Sequence, residues 1–167
     1  MKTVLLHGPR ALGRVALVDD EDYEFVMLFR WFVFDYPRSR GARMHGPYAV
    51  ARPTLDGRQR TVYMHALLTG RPGVDHEDHD GLNNQRSNLR IATANQNSWN
   101  ARKTLAATSS QFKGVSRVRN KWMAKIHVSG EGRYLGVHAT EIEAARAYDA
   151  AAREAFGQFA YLNFPGE

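Results

Sequence analysis

Residues 73–103, GVDHEDHDGLNNQRSNLRIATANQNSWNARK, constrain this chain of 167 residues more than any other stretch. Residues 74–76 read as a strand. Residues 78–88 are dense in Asp, Gly, Asn and Ser, whose short side chains bond nearby backbone and favour turns. Residues 89–93 read as a second strand, and residues 94–103 as a helix with Thr93 as its cap. Strand, loop, strand and helix within about thirty residues make a ββα unit.

That unit concentrates oxygen and imidazole donors. Asp75 ends the first strand, and Asn97 follows on the helix. A ββα hairpin folds those two elements together, so both side chains can share one cation. Two oxygen donors form a hard ligand set, which suits Mg²⁺ or Mn²⁺ better than zinc. His76 is the next residue after Asp75, but neighbours on a strand point to opposite faces. It is therefore placed to miss the cation and act as a base on water. Asn88, between loop and second strand, can bond loop backbone groups and hold His76 in place. The chain has no cysteine, which excludes disulfides, a Cys-ligated zinc module, an iron–sulfur site and a thiol nucleophile. His76 and His79 have the spacing of a zinc pair, yet neither a Cys nor a later His pair completes it.

Charge is unevenly spread. The net charge is +6. Residues 113–133 hold six basic side chains against Glu131 alone, whereas residues 140–167 hold two basic and five acidic ones. Upstream, the acids Asp75, Glu77, Asp78 and Asp80 precede a stretch with Arg86, Arg90, Arg102 and Lys103 and no acid. An acidic knot beside a basic stripe suits a metal site held against a phosphate backbone. The longest apolar stretch, residues 25–34, is short and interrupted by Arg30, so no spanning helix is expected. The N-terminus lacks a signal-peptide exit.

Around the central unit the pattern continues. Residues 14–18 read as a strand. Asp19, Asp20 and Glu21 look like a helix start, and Tyr23, Val26, Met27, Arg30 and Trp31 follow at helical spacing, which predicts about three turns. Residues 36–47 read as a loop. Residues 48–53 and 60–65 flank a Leu55-Asp56-Gly57 turn signal and predict a hairpin, with a short helix over 66–69. Further on, residues 113–118, 121–128 and 133–138 predict three strands. Residues 141–156 predict a helix with Ala144, Ala145, Tyr148, Ala151, Ala152 and Phe156 on one face.

Taken together, Met64-His65, Val74-Asp75-His76, Gly81-Leu82-Asn83-Asn84, Ser87-Asn88-Leu89-Arg90 and Asn95-Gln96-Asn97 resemble the HNH endonucleases of phages and mobile introns. The resemblance implies a ββα-metal fold that binds one divalent cation and cuts a DNA phosphodiester. It makes His76 the general base, Asp75 and Asn97 the metal ligands and Asn88 the middle Asn. Arg90 is a further DNA-contact candidate, and His65 and His79 are additional site candidates. Asn97 stands where the literal motif has His. Ala66 follows the upstream His where many relatives have Arg.

Phe112-Lys113-Gly114-Val115, Lys121-Trp122, Leu135-Gly136, residues 143–149 (EAARAYD) and Leu162-Asn163-Phe164-Pro165 resemble the APETALA2-type DNA-binding domain. That family lays a three-stranded sheet in the major groove with a helix behind it. The contact positions implied are Lys113, Lys125, His127, Arg133 and Tyr134, and Arg117 and Arg119 are added from the basic stretch. Ser116 and Val118 stand where the plant proteins place Arg.

The expectation is an α+β chain. It comprises an N-terminal α/β region (1–72), a ββα-metal nuclease motif (73–104), a linker (105–110), and a three-stranded antiparallel sheet packed on one helix (111–167). The expected activity is divalent-metal-dependent DNA endonuclease, of phage or mobile-element origin, acting in the bacterial cytoplasm. Double-stranded DNA is the expected partner; no membrane and no other protein partner is implied. The alternatives are a non-catalytic DNA-binding regulator and an RNA- or structure-specific nuclease.

Overall fold

Two short alternating segments open the fold. β1 (Lys2–Leu5) pairs antiparallel with β2 (Val15–Val18), Lys2 opposite Val18 and Leu5 opposite Val15. The three-turn helix expected after Asp19 does not form. A 3₁₀ turn over Asp20–Asp22 and a single turn, α1 (Tyr23–Val26), lead into a strand, β3 (Trp31–Phe34). Aromatic and β-branched side chains favour the pleated surface, and Trp31 and Val33 alternate inward along it. The Trp31 indole donates to Val26 O at 2.7 Å, fixing the point where the helical turn ends. The acids that resemble a helix start have a different partner, Arg86, described below.

β3 pairs with β4 (Tyr48–Ala51), and β4 with β7 (Val62–Tyr63). Between them β5 (Thr54–Leu55) and β6 (Arg58–Gln59) form a two-stranded ribbon. Asp56 (φ 53°) and Gly57 (φ 72°) turn it, as the hairpin signal predicts. α2 (Met64–Thr69) follows β7 directly, starting two residues before the expected 66. β8 (Val74–His76) and β9 (Leu89–Ile91) are antiparallel, with Asp75 opposite Arg90 and His76 opposite Leu89.

The computed structural model describes residues 1–35, 46–103 and 109–167. Most of the loop expected over 36–47 and of the linker expected over 105–110 lies outside them. The chain divides into two units, Met1–Ala94 and Asn95–Glu167. The boundary expected at residue 72 is absent, because both sides of it share one core of Val4, Leu6, Val18, Val26, Trp31, Met64, Leu68 and Leu82. The outer edge of β2 also binds the central loop: Leu17 N donates to Leu82 O and Asn84 N to Leu17 O, each at 2.8 Å.

The second unit takes nearly all of α3 (Ala94–Asn100), which was expected to belong with the ββ pair. Its Trp99 ring stacks on Phe156 at 4.7 Å, so the helix has an apolar partner there. β10 (Val115–Val118), β11 (Lys121–Val128) and β12 (Glu131–His138) form an antiparallel sheet in that order. α4 (Glu141–Phe156) packs on it through the Ala/Tyr/Phe face read from the sequence. Thr140 and Glu143 form a reciprocal capping box at its start. The architecture is α+β. Among the described residues no helix is long and apolar enough to cross a membrane.

Candidate active site

In the first unit, β8 carries Asp75 and His76 into a buried position. Asp75 is bound by Arg90, its cross-strand neighbour. The guanidinium Nε and Nη2 both donate to Asp75 Oδ2, at 2.7 and 2.6 Å. Arg90, expected to face DNA, thus has its charge engaged by the expected metal ligand.

His76 leaves the opposite face of the strand and enters a ring cluster. The His65 ring meets it edge-on, with centroids 5.1 Å apart and planes at 86°. Tyr48 lies 5.7 Å away. Tyr48 and Tyr63 flank His65 at 5.4 and 5.3 Å. Burial holds the His76 pKa below the ordinary imidazole value, while Asn84 and the Asp78, Asp75 and Asp80 carboxylates pull it back upward. Burial and the neighbouring His76 push His65 down to about 4. Both shifts favour the neutral imidazole, whose lone pair can take a proton.

The loop beyond His76 is tied down through Asn88. Its amide oxygen accepts from Asp78 N at 3.0 Å, and its amide nitrogen donates to Asp78 Oδ1 at 2.9 Å and Asn83 O at 2.8 Å. Burial opposes ionisation of Asp78. Hydrogen bonds from the Asp80 N–H, Asn83 and Asn88 outweigh it and hold that carboxyl below its usual pKa. Arg86, in the same loop, forks onto Asp22 at 2.6 and 2.8 Å, and its N–H donates to Asp19 Oδ2 at 2.7 Å. The acidic run 19–22 therefore anchors the nuclease-like loop. Gly81 sits so close to β4 that an added Cβ would stand 2.5 Å from Pro47 O and from the Tyr48 ring. His79 occupies a left-handed position (φ 66°) and its N–H donates to His76 O at 3.0 Å.

The remaining candidates lie in the second unit. Asn97 is exposed on α3. On the sheet, Lys125 faces Tyr134 across β11 and β12, and His127 faces Gly132. These side chains alternate with Ala124 and Ile126, which are buried against α4, so they occupy the outward face. Arg117 lies opposite Trp122 with its guanidinium 5.9 Å from the indole centroid, and Arg133 lies opposite Ile126. Both are exposed but in register with the helix side of the sheet. Arg119 holds the β10–β11 turn at φ 53°. Lys113 is engaged internally: its ammonium donates to Trp99 O and Ala101 O at 2.6 and 2.8 Å.

Sequence reasoning gave Asp78 only as one of an acidic run and Asn84 only as one motif residue, and it did not single out Tyr63. Asn84 stands inside the Leu-Asn-Asn run, which was the available signal. Strand alternation alone does not reveal that Tyr48 lies against His76.

No family model matches the chain. A protein of Escherichia phage T7, protein 3.8, is 34% identical over 88 residues, 52% of this chain and 72% of its own length. The dehydration-responsive element-binding protein 2A of Arabidopsis thaliana is 46% identical over 57 residues, 32% of this chain and 17% of its own. An uncharacterized HNH endonuclease of Acanthamoeba polyphaga mimivirus is 32% identical over 157 residues, 92% of this chain and 77% of its own. Together with a buried Asp-His pair on a two-stranded hairpin and an Asn-clamped loop, that near full-length likeness shows that the chain belongs to the HNH endonuclease family.

Proposed function

We propose that this chain is a DNA endonuclease dependent on one divalent cation, Mg²⁺ or Mn²⁺, with His76 as its general base. The observation that carries this reading is the buried imidazole of His76 beside the Asp75 carboxylate on the same short strand. Asp75 offers only oxygen, the donor a hard cation prefers, and would hold it, with Asn97 the second ligand that the family resemblance implies. When bound, the cation would polarise the scissile phosphate and stabilise the leaving oxygen. The protein's own side chains do the rest. Arg90 fixes the Asp75 carboxylate, His76 takes the proton from water, and Asn88 holds the loop that follows His76.

The second unit supplies the address in this reading. Its outward face presents Lys125, His127 and Tyr134, which suit a phosphate backbone and base edges. The likeness to a plant element-binding protein supports double-stranded DNA as the ligand.

The test is supercoiled plasmid incubated with purified protein and Mg²⁺, with EDTA and His76→Ala as controls. Metal-dependent nicking or linearisation, lost in His76→Ala, is expected. Equal cleavage by His76→Ala overturns the role of His76. Binding without cleavage under any divalent cation favours a DNA-binding regulator.

A further inference from the structure

The sheet of the second unit keeps one face clear of its helix, and that face is not uniformly basic. Side chains of β11 alternate: Trp122, Ala124 and Ile126 turn toward α4, which leaves Lys121, Met123, Lys125 and His127 outward. Cross-strand partners share a face. Ser116 on β10 lies opposite Met123, and Met123 lies opposite Val137 on β12, so the three side chains form one row across the sheet. A bulge makes that row possible. The register slips between Met123 and Lys125, and on β12 Gly136 stands at that point with φ 111°. Simple alternation from the outward Tyr134 would turn Val137 inward, because it lies an odd number of positions away. The extra residue of the bulge returns it to the outward face.

Val137 is 42% exposed, and Val118, outward in the neighbouring row opposite Lys121, is 39% exposed. No Asp or Glu stands among the outward positions of the three strands. Apolar side chains standing in water between cations suit a ligand that carries both apolar groups and negative charge. Double-stranded DNA carries both, because each thymine turns a C5 methyl into the major groove between the phosphate strands. The dimensions also agree. Strands spaced about 4.8 Å set the outer two about 10 Å apart. The major groove, about 12 Å wide, admits such a sheet, and the minor groove, about 6 Å wide, does not. The side-chain types narrow the choice of base. Guanine is read chiefly by the paired N–H donors of Arg or Lys, and adenine by the amide of Asn or Gln. Ser116, Met123 and Val137 hold no such fork, whereas an apolar surface distinguishes thymine by its methyl group.

We propose that the row of Ser116, Met123 and Val137 determines sequence specificity: it reads thymine through the C5 methyl group, while Lys121 and Lys125 on either side meet phosphates. This rests on the reading of the outward face as the DNA address, and adds which base that face selects.

The test is a binding selection with the full-length protein in EDTA from a library of random-sequence duplexes, followed by affinity measurements on the enriched site. The enriched core should contain thymine. Replacing those thymines by uracil deletes only the methyl group, and should weaken binding about fourfold for each methyl contacted. The same replacement outside the core should change nothing. Met123→Ser combined with Val137→Ser should bind the thymine and uracil duplexes alike. An enriched core without thymine, or equal affinity of the parent for the two duplexes, overturns the proposal whether or not the double variant folds. So does a folded double variant that keeps the full thymine–uracil difference. Sequence-independent binding overturns this proposal and spares the reading of the face as a DNA address. Binding to no duplex at low salt defeats that reading and this proposal with it.

Discussion

Arg90 places two N–H donors on a single oxygen of Asp75, at 2.7 and 2.6 Å, across the β8–β9 pair. Both side chains are largely buried, at 15% and 5% exposure. Removing one partner of such a pair leaves an uncompensated charge in a dry site. Arg90→Ala should therefore cost about 3 kcal/mol in urea unfolding. Asp75→Asn combined with Arg90→Ala should recover part of that loss, because no buried charge then remains. The salt dependence of DNA binding should stay at the parental slope in Arg90→Ala, since this guanidinium is committed to Asp75.

The Asn88 clamp predicts a local loss. Asn88→Ala removes one acceptor and two donor contacts to Asp78 and Asn83. At about 1 kcal/mol per net hydrogen bond, with an added penalty for loop groups left unpaired, the cost should be about 2–4 kcal/mol. Amide exchange should accelerate first over residues 77–88, before the core strands. Uniform loss of protection across the unit would show that Asn88 serves the fold rather than the loop.

Much of this architecture was legible in the residues, because the relevant signals are local. β11 and α4 have the bounds that periodicity predicts, and the Asp56-Gly57 turn closes the expected ribbon. The failures share one cause. The acids at 19–22 imitate a helix start, but Arg86, more than sixty positions away, is their partner. Trp31 fits a helical face until its strand pairing with Ala51 decides otherwise. The site divides the same way. Asp75, His76 and Asn88 carry a motif, whereas the facing of Tyr48 and His65 toward His76 depends on contacts no window of sequence contains.

His65 predicts an acid-sensitive fold. Its folded pKa is depressed to about 4 from an ordinary 6.5, so the unfolded chain binds the extra proton more readily. The stabilisation from keeping His65 neutral is complete above about pH 6.5 and is lost as pH falls toward 4. At about 1.4 kcal/mol per pH unit, this group accounts for at most about 3 kcal/mol over that window. His65→Phe preserves a flat ring against Tyr48 and Tyr63 and removes the proton site. Urea unfolding between pH 7 and pH 4.5 should show a shallower decline in the variant. An identical slope would assign the acid sensitivity elsewhere.

Gly114 predicts an intolerance to any side chain. Its φ is 76°, and an added Cβ would stand 1.9 Å from Tyr148 Cδ2, on a ring that is buried under the sheet. Strain and overpacking act together, so Gly114→Ala should cost about 3 kcal/mol or more. Pairing it with Tyr148→Leu should relieve the steric part and leave the backbone part, which a double-mutant cycle on unfolding free energies will read.

The two lysines of the second unit separate structure from DNA contact. Lys113 donates to Trp99 O and Ala101 O, at the carbonyl end of α3. A cation there is worth about 1 kcal/mol to the fold. Lys125 instead stands on the outward face opposite Tyr134, where a phosphate would release a counterion on meeting it. Lys125→Ala should reduce the slope of log K against log salt by about 0.9 and leave the unfolding midpoint near the parental value. Lys113→Ala should do the reverse, lowering stability with the slope unchanged. Binding isotherms at several salt concentrations, read beside urea curves, distinguish the two. A slope change in Lys113→Ala at parental stability would move this lysine to the DNA face and remove it from the helix end.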